Sequence, residues 1–198
     1  HAGMIYASNL CHEIAQNVGF TNLAEEIINE DGTITTKTNT GDMVTCNLNS
    51  ISLGRISDEE LEENIALQIR MLDNVISINQ APVPESRMTS DKYRAIGLGT
   101  SGYHHYLVNH DIQWESDENI EVADKLFENI AYYSIKASME LAKEKDAYPA
   151  FKGSEWETGE YFTRRGYTSD RWKQLAADVA KYGIRNGYLM AIAPTGST

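Results

Sequence analysis

The chain has 198 residues, with 17 Lys or Arg against 29 Asp or Glu, a formal net charge of −12 and a pI near 4.8. That balance excludes nonspecific nucleic-acid binding, which needs a basic face to release phosphate counterions. With 41% hydrophobic and 23% charged residues it is ordinary globular material, long enough for one domain with a sizeable core. No apolar run approaches the roughly 18 residues of a membrane span. His1-Ala2-Gly3-Met4 lacks the basic and apolar regions of an export signal. Two cysteines, Cys11 and Cys46, are too few for a secreted disulfide framework, so the expectation is a cytoplasmic protein whose cysteines are thiols.

Met4 to Ser8 reads as a short strand, running into the polar cluster Asn9-Leu10-Cys11-His12-Glu13-Ile14. Residues 15–42 are rich in Asn, Thr, Gly and Asp, and Asp31-Gly32 predicts a turn inside a small hairpin that leaves the main fold. Strand character returns over Met43 to Leu48, placing both cysteines on or beside strands. Ser57-Asp58-Glu59-Glu60 is a capping box, and Leu61, Ile65, Ile69, Leu72 and Ile76 predict a helix to about Asn79, ahead of Pro82 and Pro84. Tyr93 to Leu98 reads as a strand closed by Gly97-Leu98-Gly99, and Ser101 to Val108 as helix. A long helix is expected over 117–143, with Ile120, Ala123, Phe127, Ile130, Ser134, Ala137 and Leu141 on one face. Another follows over 169–182, stopped by Gly183. Tyr188 to Ile192 reads as a buried strand leading into Ala193-Pro194-Thr195-Gly196-Ser197-Thr198. Strands alternating with helices predict an α/β fold with a mainly parallel sheet, in which sites gather at strand ends.

Several residue clusters there could carry chemistry. Cys11 lies between the Asn9 amide and the Glu13 carboxylate, which suits either a reactive thiol or a small buried hydrophobe in the core. A Cys11–His12 nucleophile is disfavoured, because neighbours on a strand point to opposite faces. His104, His105 and His110 with Asp111 have poor metal-ligand spacing and read as a solvated helix face, so no metal site is expected. Gly97, Gly99 and Gly102 satisfy G-x-G-x-x-G, but Glu115, Asp117 and Glu118 sit on no clear second strand, which favours tight packing over dinucleotide binding. Pro194 to Thr198 supplies hydroxyls and backbone N–H groups that could cradle phosphate or make a plain turn.

Taken together, Ser8-Asn9-Leu10-Cys11-His12-Glu13-Ile14, Thr45-Cys46-Asn47-Leu48-Asn49-Ser50-Ile51, Ala95-Ile96-Gly97-Leu98-Gly99, Gly183-Ile184-Arg185-Asn186 and Ala193-Pro194-Thr195-Gly196-Ser197-Thr198 resemble, in order and spacing, the catalytic subunit of class I ribonucleotide reductases. His1-Ala2-Gly3 and Gly159-Glu160-Tyr161-Phe162 look like the Ib subgroup. The resemblance implies part of a ten-stranded α/β barrel, residues 1–198 forming one segment of a single catalytic domain truncated at both ends. It implies a finger loop with Cys11 as a transient thiyl radical, Asn9 holding sugar hydroxyls, Glu13 accepting a proton, and Cys46 as half of a reducing dithiol. Ser8 and the loop Pro194, Thr195, Gly196, Ser197 and Thr198 would bind a ribonucleoside diphosphate.

The resemblance further implies partners outside the chain: the remaining segments of the subunit, a second copy of the completed subunit, and a small subunit whose metal generates the radical. A thioredoxin or glutaredoxin-like donor would supply electrons, and no cofactor would be held by this chain. The alternatives are a non-catalytic assembly segment with the same fold, and a Cys-His hydrolase drawing on His104 or His105.

Overall fold

The computed structural model describes residues 3–196. Its elements are β1 (Asn22–Ile28), β2 (Ile34–Asn39), β3 (Leu48–Ser52), α1 (Leu61–Ile78), α2 (Pro84–Tyr93), β4 (Gly97–Ser101), α3 (Tyr103–Asn109), α4 (Asp117–Lys145), α5 (Glu155–Thr158), α6 (Glu160–Arg164) and α7 (Asp170–Tyr182). This is a mixed α/β arrangement without a closed barrel among the described residues.

The body is built where the apolar periodicity was clearest. Leu61, Ile65, Ile69, Leu72 and Ile76 of α1 are buried against α4, which also packs on α7. Being covered on two sides, α4 buries Leu126, Ile130, Ala131, Ile135, Met139 and Leu141. The single stripe expected from sequence is therefore corrected: Ile130, Ser134 and Leu141 are buried, but Ile120 is exposed. Fully burying each Leu or Ile contributes about 1.5–3 kcal/mol. At the start of α1 the Glu60 carboxylate accepts from the Ser57 backbone N–H, one arm of the expected capping box.

The strands differ more from expectation. β3 and β4 pair in parallel, Leu48 opposite Gly97 through Ser52 opposite Ser101, with α1 and α2 in the crossover. The Met43 to Leu48 strand begins only at Leu48, and the 93–98 strand is moved to Gly97–Ser101, because α2 occupies residues up to Tyr93. Residues 4–8 are irregular, and Tyr188 to Ile192 contributes one bridge, Met190 to Leu98. The glycines of β4 allow that approach: a Cβ at Gly99 would collide with the Ala191 carbonyl, and one at Gly97 with Leu48 and Ala191. Gly97 and Gly99 of the G-x-G-x-x-G pattern thus serve strand-to-strand packing, and Gly102, with φ 69°, turns the chain into α3. Residues 22–39 form the antiparallel β1–β2 hairpin around Gly32, exposed along its whole length.

One buried polar knot ties the body together. Asp73 of α1, 0% exposed, accepts from Arg94 Nε at 2.7 Å, Arg185 Nε at 3.2 Å and Asn186 Nδ2 at 3.2 Å. Arg94 also donates to the Asp73 carbonyl and Ser77, and Asn186 bonds Ser138 of α4. Burial would push the Asp73 carboxyl up. The Arg94 hydrogen bond and the charges of Arg94, Arg185 and Lys145 outweigh it and hold the carboxyl below the usual carboxylate range.

Candidate functional site

The Cys11 loop is a hydrogen-bonded turn, not a strand end. The His12 N–H donates to the Asn9 carbonyl at 3.1 Å, putting Cys11 inside the turn with its side chain exposed. His12 has φ 66°, a left-handed conformation that polar side chains tolerate better than β-branched ones. Asn9 and Ser8 close the loop from within. Asn9 Oδ1 accepts from the Ile14 N–H at 3.0 Å and Ser8 Oγ donates to the Ile14 carbonyl at 2.6 Å, which fixes the direction of both side chains. Exposure of Cys11 removes the reading of a buried core thiol.

Residues 15–42 leave and return at a clasp that draws the two cysteine segments together. The Gly19 N–H donates to Asp42 Oδ2 and the Asp42 N–H returns to the Gly19 carbonyl, at 3.0 and 2.9 Å. Gly41 passes so close to Gly19 and Phe20 that any Cβ would collide with their backbone. Below the clasp, Cys46 Sγ donates to Glu13 Oε1 at 3.9 Å, a weak hydrogen bond across the excursion. The other carboxylate oxygen, Oε2, is buried and without a hydrogen-bond partner. Partial burial pushes the Cys46 thiol up, and the facing Glu13 and Cys11 reinforce the shift.

The platform under both segments is α2, an element the sequence reading lacked. Its polar run Pro84 to Tyr93 shows no apolar period; the available signal was Pro84, which suits a first helical position, rather than only the end of α1. Thr89 Oγ1 accepts from the Met43 N–H at 2.8 Å, Ser90 Oγ bonds Thr45 Oγ1 at 2.8 Å, and Lys92 reaches Asp42 at 3.1 Å. Tyr93 Oη accepts from buried Asn17, whose Oδ1 takes the Tyr188 hydroxyl at 2.6 Å. Asn17, Tyr93 and Tyr188 thus anchor the foot of the Cys11 loop. None of the three was singled out from sequence.

Other expected residues fall elsewhere. Pro194, Thr195 and Gly196 follow the bridge at Met190 in irregular chain. No hydrogen bond or ion pair joins Pro194 or Gly196 to the Cys11 loop among the described residues. Ser197 and Thr198 lie outside the described residues. No histidine hydrogen-bonds to Cys11 among the described residues: His104 packs against Trp114 and His105 against Gly54, which removes the geometric basis of a Cys-His hydrolase. Nor do three His, Cys, Asp or Glu side chains converge to hold a metal ion among them. A cleft of about 1360 Å³ opens beside the stem of the loop, lined by Ile5, Asn17, Trp156, Tyr161, Tyr188 and Ile192 among others, not by Cys11, Glu13 or Cys46. No helix among the described residues is long and apolar enough to cross a membrane.

Comparison with known proteins identifies the family of the chain. The ribonucleotide reductase barrel domain family matches residues 1–198. The ribonucleoside-diphosphate reductase subunit alpha of Treponema pallidum is 51% identical over 204 residues, and that of Helicobacter pylori strain J99 36% identical over 247. The Synechocystis subunit is 33% identical over 208 residues. Each alignment covers 100% of this chain but only 24%, 31% and 24% of those relatives, so the chain spans about a quarter to a third of their length.

Proposed function

From the premise that the chain belongs to the ribonucleotide reductase barrel domain family, we propose that it is the catalytic-core segment of a ribonucleoside-diphosphate reductase, an oxidoreductase making deoxyribonucleotides in the cytoplasm. The observation that carries this reading is the contact between Cys46 and Glu13 across residues 15–42, with Asn9 and Cys11 in the same loop as Glu13. In the proposed reaction a Cys11 thiyl takes the 3′ hydrogen of the substrate, breaking C–H and forming S–H. Glu13 takes the 3′ hydroxyl proton, which eases departure of the 2′ hydroxyl as water with a proton from one thiol of the reducing pair. After reduction the Cys11 S–H returns its hydrogen to the 3′ carbon and Glu13 returns its proton to the 3′ oxygen, restoring the thiyl and the carboxylate. Asn9 and Ser8 orient the sugar, and Cys46 with a second thiol outside this chain supplies two electrons as the dithiol becomes a disulfide. Pro194 to Thr198 bind the diphosphate, and the complete subunit closes the ten-stranded barrel of which β3 and β4 are part.

The radical would come from a metal-containing small subunit, the electrons from a thioredoxin or glutaredoxin-like donor, and the completed subunit would work as a dimer. Nothing favours the assembly-only alternative. The test is turnover of a ribonucleoside diphosphate by the completed enzyme. Cys11→Ser should abolish it, because an alcohol O–H is stronger than S–H, and Cys46→Ser should permit hydrogen abstraction but stop reduction. Full activity in Cys11→Ser removes the proposal. In calorimetry, the Ser197→Ala, Thr198→Ala double variant should bind the diphosphate more weakly; unchanged affinity removes that loop from the site.

A further inference from the structure

We propose that Glu13 is a positioning residue for Cys46: its carboxylate accepts the Cys46 S–H and keeps that sulfur a protonated thiol while Cys11 beside it stays open to reaction. This stands on the contact itself, not on turnover, and concerns a different task from taking a proton from substrate.

Three observations support it. First, Oε1 of Glu13 faces Cys46 Sγ at 3.9 Å, whereas Oε2 is buried with no partner. An ionised carboxylate is a strong acceptor, and the Cys46 S–H is the donor that reaches it, at Oε1. Second, the titratable groups acting on Cys46 are Glu13 and Cys11, both of which oppose a thiolate. Both cations of α2 that could have favoured one are engaged elsewhere: Lys92 with Asp42 and Arg87 with Asp91, while Ser90 presents only a hydroxyl, to Thr45. Third, the backbone is pinned on both sides of the contact, by Asn9 and Ser8 to Ile14 and by Thr89 to Met43, so the two side chains are held opposite each other by the fold.

The consequence is chemical order between two exposed thiols. Thiolate, not thiol, attacks electrophiles, oxidants and disulfides. A Cys46 kept protonated resists premature oxidation although it is exposed, and becomes nucleophilic only when Glu13 is itself protonated or occupied by another donor.

The experiment is alkylation of the full chain by iodoacetamide across pH, each cysteine read separately by peptide mass spectrometry. In the parent chain the pH midpoint for Cys46 should lie above that of the same cysteine in urea-unfolded chain; a midpoint equal to or below it overturns the proposal without any variant. Glu13→Gln should move the Cys46 midpoint down and raise its rate at neutral pH about threefold or more, since rate follows the thiolate fraction. The rate at high pH should be unchanged. A rate raised equally at every pH reports only exposure of the sulfur and also overturns the proposal. Glu13→Asp, which keeps the charge on a shorter arm, should fall between parent and Gln. These readouts need no turnover, so their failure leaves the catalytic reading to its own test.

Discussion

Between α1 and α4, Ile65, Ile69 and Ile135 are entirely buried and the contact is apolar packing, whereas Cys11 and Cys46 are exposed and the Cys46 segment is fastened by hydrogen bonds to α2. The first region gains its stability from area removed from water, each side chain adding a share. The second gains little from area and depends on geometry: the Gly19–Asp42 clasp, the Thr89 and Ser90 hydroxyls, and the Asn17, Tyr93 and Tyr188 chain. Reactive thiols need access, so they cannot be fixed by burial. The fold therefore holds them from behind, with polar groups whose own helix is buried mainly through Ser86, Thr89 and Tyr93.

The sharpest way to break the contrast is at the knot that serves both regions. Asp73→Asn leaves Arg94 and Arg185 without their buried anion and should cost about 3–5 kcal/mol in urea unfolding. A loss below about 1 kcal/mol would show the knot to be dispensable. The pH dependence follows from the sign of the shift. The Asp73 carboxyl lies below the usual range when folded, so its stabilisation is complete above the ordinary value of about 3.9 and is lost as pH falls through its folded value. The gap between parent and variant should accordingly be constant near neutrality and close only in acid.

Next comes the apolar region by itself. Ile135→Ala should cost about 2–5 kcal/mol by opening a cavity between packed helices. It should leave Cys46 alkylation in the folded population unchanged. A faster Cys46 in this variant would mean that the two regions are coupled through packing.

This contrast also decides what could be read from the sequence. α1, α4 and α7 were legible, because apolar residues recur at helical spacing in α1 and α4 and Ser169 and Gly183 bound α7. The hairpin turn was legible from Asp31-Gly32, where Asp31 Oδ1 accepts from the Thr33 N–H. α2 was not, since Pro-Glu-Ser-Arg-Met-Thr-Ser-Asp-Lys-Tyr carries polar residues on the face it buries. The strand at 4–8 was over-read, since Met4, Ile5 and Tyr6 are apolar but exposed, whereas 188–192 does bond along β4, Ile96 to Tyr188, Leu98 to Leu189 and Ala191 to Leu98, but only as a single bridge. At the site, the chemistry-bearing types Asn9, Cys11, Glu13 and Cys46 stood out by sequence spacing. Their supports Thr89, Ser90, Tyr93 and Asn17 did not, because a hydroxyl or amide that braces a distant backbone leaves no local pattern.

A smaller effect tests those supports. Removing one neutral hydrogen bond costs about 0.5–1.5 kcal/mol, so Thr89→Ala and Ser90→Ala should each lower stability modestly. Their larger effect should be local: amide exchange at Met43 to Cys46 should speed up, with α1 and α4 protection unchanged. Equal acceleration in both places would show that α2 is a part of the core like any other and not a platform for the thiols.

The smallest expected effect concerns the hairpin. β1 and β2 are exposed along their length, and what closes residues 15–42 is the Gly19–Asp42 clasp, backed by the Gly41 N–H donating to Thr21 Oγ1. Asn22 and Asn39 are paired across the register, so residues 23–38 can be replaced by Asn-Gly, the two-residue turn such a pair accepts. No buried contact is lost, and the shorter loop returns only a few tenths of a kcal/mol of closure entropy. Stability should stay within about 0.5 kcal/mol of the parent, as for surface changes generally, and the pH midpoint of Cys46 alkylation should not move. A stability loss above about 1 kcal/mol, or a lowered midpoint, would mean that the hairpin helps hold Glu13 against Cys46 and that the clasp alone is too weak to bring the two cysteine segments together.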